Sequence, residues 1–164
     1  MGNMMLGLVA QRGGWRSITV GNDGAFSFEG LLPGSYRIQM LPQSDESRPY
    51  LLLSPQSLSV AAGETREETI YLEKGVHVSG TVVDASTGKT PEGRTRLAFR
   101  KASDIVSGTV PGPEGAWSIY LLPGTYDILC TYEGPPASMR RTQVETITVE
   151  KDQELTGITI KIGE

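Results

Sequence analysis

The sequence predicts an all-β protein built of two tandem Ig-like antiparallel sandwiches, and three observations carry that prediction. A decamer occurs twice, as LLPGSYRIQM from Leu31 and as LLPGTYDILC from Leu121. The 20 glycines and 10 prolines are scattered along the 164 residues instead of being gathered into one linker, as many tight turns between short strands require. Apolar and polar residues alternate in short runs, and no window combines sustained helical periodicity with caps.

Aligning Pro33-Gly34 with Pro123-Gly124 sets the two copies 90 residues apart, and the similarity runs outward from there. Upstream, DGAFSFEGLLPGSYRI from Asp23 matches EGAWSIYLLPGTYDI from Glu114 with one residue fewer. Downstream, LSVAAGETREETIYL from Leu58 matches ITVEKDQELTGITI from Ile147. A period this long marks tandem domains, since solenoid units are shorter. Residues 1–74 and 75–164 are therefore read as two repeats that meet near Lys74-Gly75.

Within the decamer, proline fixes φ and glycine supplies a positive φ, so Leu32-Pro33-Gly34-Ser35 reads as a type II turn that feeds a strand. Tyr36, Ile38 and Met40 in one copy, and Tyr126, Ile128 and Cys130 in the other, alternate with outward residues and form the core face. Ahead of each decamer, Asp23-Gly24 and Glu114-Gly115 read as turns leading into strands that bear Phe26 and Phe28, or Trp117 and Ile119. Further strands are expected at 4–10, 15–20, 56–60, 66–73, 76–84, 94–100, 104–110, 144–149 and 154–162. The copies are unequal: VSGTVVDASTGKTPEG from Val78 opens the second, and nothing in the first matches it. The expectation is that the chain is cut from a longer protein, or that the first repeat closes its sheet with a borrowed strand; an unpaired edge there would invite association.

On these residues the chain resembles the carboxypeptidase regulatory-like domain, a transthyretin-like sandwich in the carbohydrate-binding-like fold group. The second repeat carries the resemblance nearly throughout: Gly80 and Val82 in the first strand, Asp84, Thr87-Gly88 and Pro91 in the turn, then Gly115, Leu122-Pro123-Gly124 and Tyr126. The first repeat carries it from Asp23 onward. Arg94 stands where the family has a small residue. The resemblance implies that Tyr36 and Tyr126 act as tyrosine corners. It also implies a non-catalytic accessory or interaction role in exported or envelope-associated bacterial proteins, hence an extracellular or cell-envelope location.

The chemistry that the sequence allows is narrow. A net charge of −4 without a basic stripe disfavours nucleic acid as a partner, and no apolar run approaches the roughly 20 residues of a membrane span. MMLGLVA from Met4 is short for a signal core and follows no Lys or Arg. A catalytic zinc needs about three ligands, whereas His77 is the sole histidine, so no metal or other cofactor is expected. Cys130 aligns with Met40, which makes it a core thiol instead of a nucleophile, and no nucleophile elbow, phosphate loop or dinucleotide fingerprint occurs. Related adhesin repeats carry a Lys–Asn isopeptide bond, but the asparagines here are Asn3 and Asn22, neither of them in the second repeat.

What remains is a non-enzymatic structural and interaction module, rigidly jointed because YLEKGVHV lacks the composition of a flexible tether, with a protein or a polysaccharide as partner. The alternative is a carbohydrate-binding module using Trp15 in RGGWRS together with the loops PQSDESRPY and YEGPPASMRR, where Tyr50, Tyr132, Arg140 and Arg141 are the candidate contacts. A third expectation is dimerisation through an exposed edge of the first repeat.

Overall fold

A computed structural model of the chain describes residues 4–42, 49–54, 57–133 and 140–163, with only the backbone course given for residues 42, 54 and 140–143. The chain forms two compact units, Met1–Lys74 and Gly75–Glu164. Strands account for nearly all of the regular structure, and no α-helix occurs among the described residues.

The first unit contains β1 (Met4–Ala10), β2 (Trp15–Thr19), β3 (Gly34–Pro42), β4 (Tyr50–Ser54), β5 (Ser57–Val60) and β6 (Tyr71–Lys74). The second contains β7 (Val76–Asp84), β8 (Arg94–Lys101), β9 (Asp104–Thr109), β10 (Ala116–Leu121), β11 (Gly124–Glu133), β12 (Arg140–Val149) and β13 (Leu155–Ile162). One sheet is common to both units. Its strand order is β2-β1-β3-β5 in the first and β9-β8-β11-β12 in the second, and the registers agree: Leu8 faces Ile38 as Phe99 faces Ile128.

The opposing layers differ. In the second unit it is β10-β7-β13, with β10 antiparallel and β13 parallel to the central β7. Val78 and Val82 of β7 are fully buried against Phe99, Trp117, Ile128 and Ile160. Each such valine contributes about 1.5–3 kcal/mol by leaving water. In the first unit, among the described residues, the second sheet is the pair β4-β6. Its fully buried cluster is Leu6, Leu8, Tyr36 and Ile38, and the surrounding apolar residues are only half covered.

Two strand assignments are therefore corrected. Ala25–Leu31, expected to form a strand through Phe26 and Phe28, joins no ladder and bends at Gly30, and the strand expected at 66–73 is paired only from Tyr71. Their counterparts in the second unit, β10 and β13, both hydrogen-bond to β7, and the first unit has no such strand among its described residues. Alternation of side chains marks a segment as able to pair, but it cannot supply the partner.

The decamers also differ from expectation at the turn. Gly34 and Gly124 have φ of 155° and 148°, far from the value of about +80° that a type II turn needs at this position. Each glycine is instead the first residue of its strand, directly after a bend at the proline, with a φ that L-residues rarely adopt. What closes the corner is the tyrosine two residues on. Tyr36 Oη donates to Leu32 O at 2.6 Å, and Tyr126 Oη donates to Leu122 O at 2.7 Å, with both rings buried. At the second corner Lys101 Nζ adds a hydrogen bond to Pro123 O at 3.2 Å and lies 5.5 Å from the centre of the Tyr126 ring.

A tight approach holds β13 against β7. A Cβ built on Gly80 would lie 2.0 Å from Ile158 O, so only glycine lets the bulged stretch of β13 between Leu155 and Ile158 pack so close. The substitution Gly80→Ala is expected to destabilise the second unit by about 1–3 kcal/mol, read as faster amide hydrogen exchange at Val82 and Ile160. Tyr36→Phe and Tyr126→Phe are each expected to lower the stability of their own unit by about 1 kcal/mol, while the other unit keeps its exchange rates.

Candidate functional site

An open apolar groove follows from the uneven second layers. It runs along the first unit between the unpaired segments Ala25–Leu31 and Thr65–Ile70, and its volume is about 790 Å³. Its floor is the inner face of the four-stranded sheet, through Leu8, Ile38, Leu58 and Val60, and its walls include Phe26, Phe28, Leu31 and Ile70. Phe26 and Phe28 meet edge to face at 6.3 Å.

The internal repeat shows what these residues lack. Phe26, Leu31, Leu58 and Val60 align with Trp117, Leu121, Ile147 and Val149. All four counterparts are buried, and all four groove residues are half-exposed. Among the described residues, the backbone N–H groups of Phe26–Leu31 and Thr65–Ile70 have no backbone partner. The banks of the groove are thus two segments outside any ladder, one of which bends at Gly30 and has its Glu29 O held by the Arg16 guanidinium at 2.6 Å. The rim is acidic: Glu29, Glu64, Glu67 and Glu68 stand against Arg66, which pairs with Glu68 and donates to Ser59 O at 3.1 Å.

The residues singled out from the sequence lie elsewhere. Trp15, at the start of the edge strand β2, is 55% exposed, and its indole lies over Gly7, with Nε1 only 3.1 Å from where a Cβ would be. Gly7 and Leu8 are successive residues of β1, so Trp15 covers the face of the sheet opposite the groove. Tyr50 begins β4 and is half-buried. Tyr132 packs at the margin of the second core and its hydroxyl donates to Glu92 O at 2.6 Å, which ties down the approach to β8. The backbones of Arg140 and Arg141 pair with Tyr132 and Thr131. Their side chains, like residues 43–48 and 134–139 of the two loops, lie outside the described residues.

The remaining polar groups serve the fold. Asp84 Oδ1 accepts from the backbone N–H groups of Ser86 and Thr87, both at 2.9 Å, and from both hydroxyls, an arrangement that holds its carboxyl below the usual range, the Ser86 hydroxyl contributing most. The Arg100 guanidinium, 2.8 Å from Asp127 Oδ2, and the Thr146 hydroxyl likewise lower Asp127. The ring of His77 in β7 lies 5.3 Å from that of Tyr120 in β10, tilted by 52°, whereas Cys130 sits in β11 of the opposite sheet. No group of three or more His, Cys, Asp or Glu residues that could hold a metal occurs among the described residues.

No protein-family model matches the chain, and no curated protein matches it. Among solved structures it is similar to the Bacillus anthracis TIE protein, with 15% identity and a TM-score of 0.36 over 98% of this chain and 30% of that one. It is similar also to a streptococcal ancillary pilin, with 16% identity and a TM-score of 0.35 over 97% and 56% of the two chains. A third is the minor pilin of Streptococcus agalactiae, with 14% identity and a TM-score of 0.36 over 99% and 84%. The chain thus spans 30% and 56% of the length of the first two proteins. No helix among the described residues is long and apolar enough to cross a membrane.

The environment of the single thiol gives a direct check on reactivity. Burial pushes Cys130 up from its ordinary 9.0 to about 11, so the nucleophilic thiolate is scarce at neutral pH. Iodoacetamide is expected to leave the native chain unmodified at pH 8 and to add one equivalent after denaturation. Because the folded value is the higher one, the stability linked to this group is intact below pH 9.0 and is lost as the pH climbs towards about 11.

Proposed function

We propose that the chain is a non-catalytic, two-repeat structural and interaction module of a larger exported or cell-surface bacterial protein, of the carboxypeptidase regulatory-like kind. The observation that carries this reading is the repetition of one device: the same four-stranded sheet, closed by the same tyrosine-to-carbonyl hydrogen bond at 2.6 and 2.7 Å, once in each unit. Groups able to do chemistry are committed to that framework. Cys130 is core, Asp84 closes a turn, and Asp127 bridges strands with Arg100 and Thr146. A scaffold of this kind offers surfaces and edges, the groove of the first unit among them.

The extracellular or envelope location rests on the resemblance of the Pro-Gly-X-Tyr corners and of the opening strand with its Thr87-Gly88 turn. The carbohydrate-binding alternative draws no support from the geometry. Trp15 is laid over Gly7, and Tyr132 commits its hydroxyl to Glu92 O.

Location is open to a direct test. Antibodies raised against the chain are expected to stain intact cells of the source organism, and staining that appears only after permeabilisation would refute the proposal.

A further inference from the structure

The turn ahead of Phe26 and the turn ahead of Trp117 are closed by the same two hydrogen bonds. Gly21 N–H donates to Ala25 O at 2.8 Å and Gly24 N–H to Gly21 O at 2.9 Å, as Gly112 N–H donates to Ala116 O at 2.8 Å and Gly115 N–H to Gly112 O at 3.2 Å. The fourth residue of each turn is a glycine at positive φ, 85° for Gly24 and 73° for Gly115. The residue before that glycine differs: it is Asp23 in the first turn and Glu114 in the second. Their surroundings differ too. A Cβ on Gly115 would lie 2.3 Å from Val82 O, so the second turn is packed onto β7. Nothing lies within 4 Å of a Cβ built on Gly24, and residues 21–25 are all exposed.

We infer that Asp23-Gly24 is a site of spontaneous backbone rearrangement, at which the side-chain carboxyl of Asp23 takes over the peptide link to Gly24. It is the sole Asp-Gly pair of the sequence, and no Asn-Gly pair occurs. The carboxyl is folded back over the turn, with Oδ1 accepting from Ala25 N–H at 3.0 Å, so it reaches along the chain past the Gly24 nitrogen. That nitrogen bonds to Asp23 Cγ, its hydrogen and the carboxyl OH leave as water, and a five-membered succinimide closes. Water then breaks the bond from the nitrogen to either carbonyl. Cleavage at Cγ restores aspartate, whereas cleavage at the main-chain carbonyl leaves the chain running through Cβ and Cγ as isoaspartate. One water is lost and one regained, so the product has the starting mass and needs no enzyme or oxidant. Gly24 permits the attack because it has no Cβ to hinder it, and the open surroundings leave room for the extra main-chain atom. The second turn is the control built into the same chain: Glu114 would need a six-membered ring, and Gly115 is wedged against Val82 O. The inference concerns this turn alone and stands whichever role the module plays.

The test is to keep the full, folded chain at body temperature and neutral pH for several weeks and then to digest it with trypsin. The peptide Ser17–Arg37 is expected to split into two species of equal mass. The newer one should resist the protease that cuts before aspartate and should accept a methyl group from protein isoaspartyl methyltransferase. The peptides that hold Asp84, Asp127, Asp152 and Glu114 are expected to remain single. Asp23→Glu, which copies the second turn, is expected to abolish the methyl label. In the aged chain the amides of Gly21 and Ala25 should exchange faster than in fresh protein, because the longer main chain breaks the bonds that close the turn. The inference is overturned if the folded chain stays unmodified at Asp23 while a synthetic Ser17–Arg37 peptide rearranges, since the fold would then protect the pair. Isoaspartate spread evenly over the other aspartates, or label undiminished in Asp23→Glu, would overturn it as well.

Discussion

A strand in the middle of a sheet must be hydrogen-bonded along both edges, and the fold of this chain turns on whether that strand is present. Where β7 lies between β10 and β13, it orders both neighbours and closes the core over Phe99, Trp117 and Ile128. Where no such strand lies among the described residues, the neighbouring segments keep their apolar residues but form no ladder. The burial of four aligned residue pairs changes with that one element, since each is closed in the second unit and half-open in the first. Cooperativity of this kind is expected, because sheet propensity reflects packing against neighbours more than a preference of the isolated chain.

Much of the framework was legible in the residues. The decamers, the turn signals and the alternation around Tyr36 and Tyr126 placed the shared sheet and most of its strands to within a residue or two, since these features are local and repeat. The errors arose where structure depends on a distant partner. Phe26 and Phe28 alternate as strand residues should, yet form none, and β4 from Tyr50 carried no signal strong enough to be read. The Pro-Gly pair was read as a hydrogen-bonded turn because the dipeptide permits one. In the structure the bend falls on the proline, the glycine starts the strand, and closure passes to the tyrosine hydroxyl.

The groove was half legible. The missing counterpart of VSGTVVDASTGKTPEG pointed to a missing strand, but only the three-dimensional pairing shows that the gap lies between two unpaired banks over an apolar floor. The aromatic and basic residues chosen from the sequence as contacts lie away from it, because exposure and residue type do not reveal what a side chain already touches. Trp15 faces the opposite side of the sheet, and Tyr132 is held by a carbonyl forty residues upstream. Half-buried phenylalanines are quieter in a sequence than a tryptophan beside a glycine pair, although here they carry the more consequential surface.

The two tryptophans fall one to each unit, in opposite surroundings. Trp117 is 4% exposed and packs 5.7 Å from Phe99, whereas Trp15 is 55% exposed at the edge of its sheet. Indole emission shifts to longer wavelength as water reaches the ring, so the chain holds a blue-emitting reporter in its complete half and a red-emitting one in its open half. Loss of the closed core moves the whole spectrum to the red, while events in the open half alter brightness at the red edge alone. Each half can thus be followed by its own colour in the intact chain, with no dye attached.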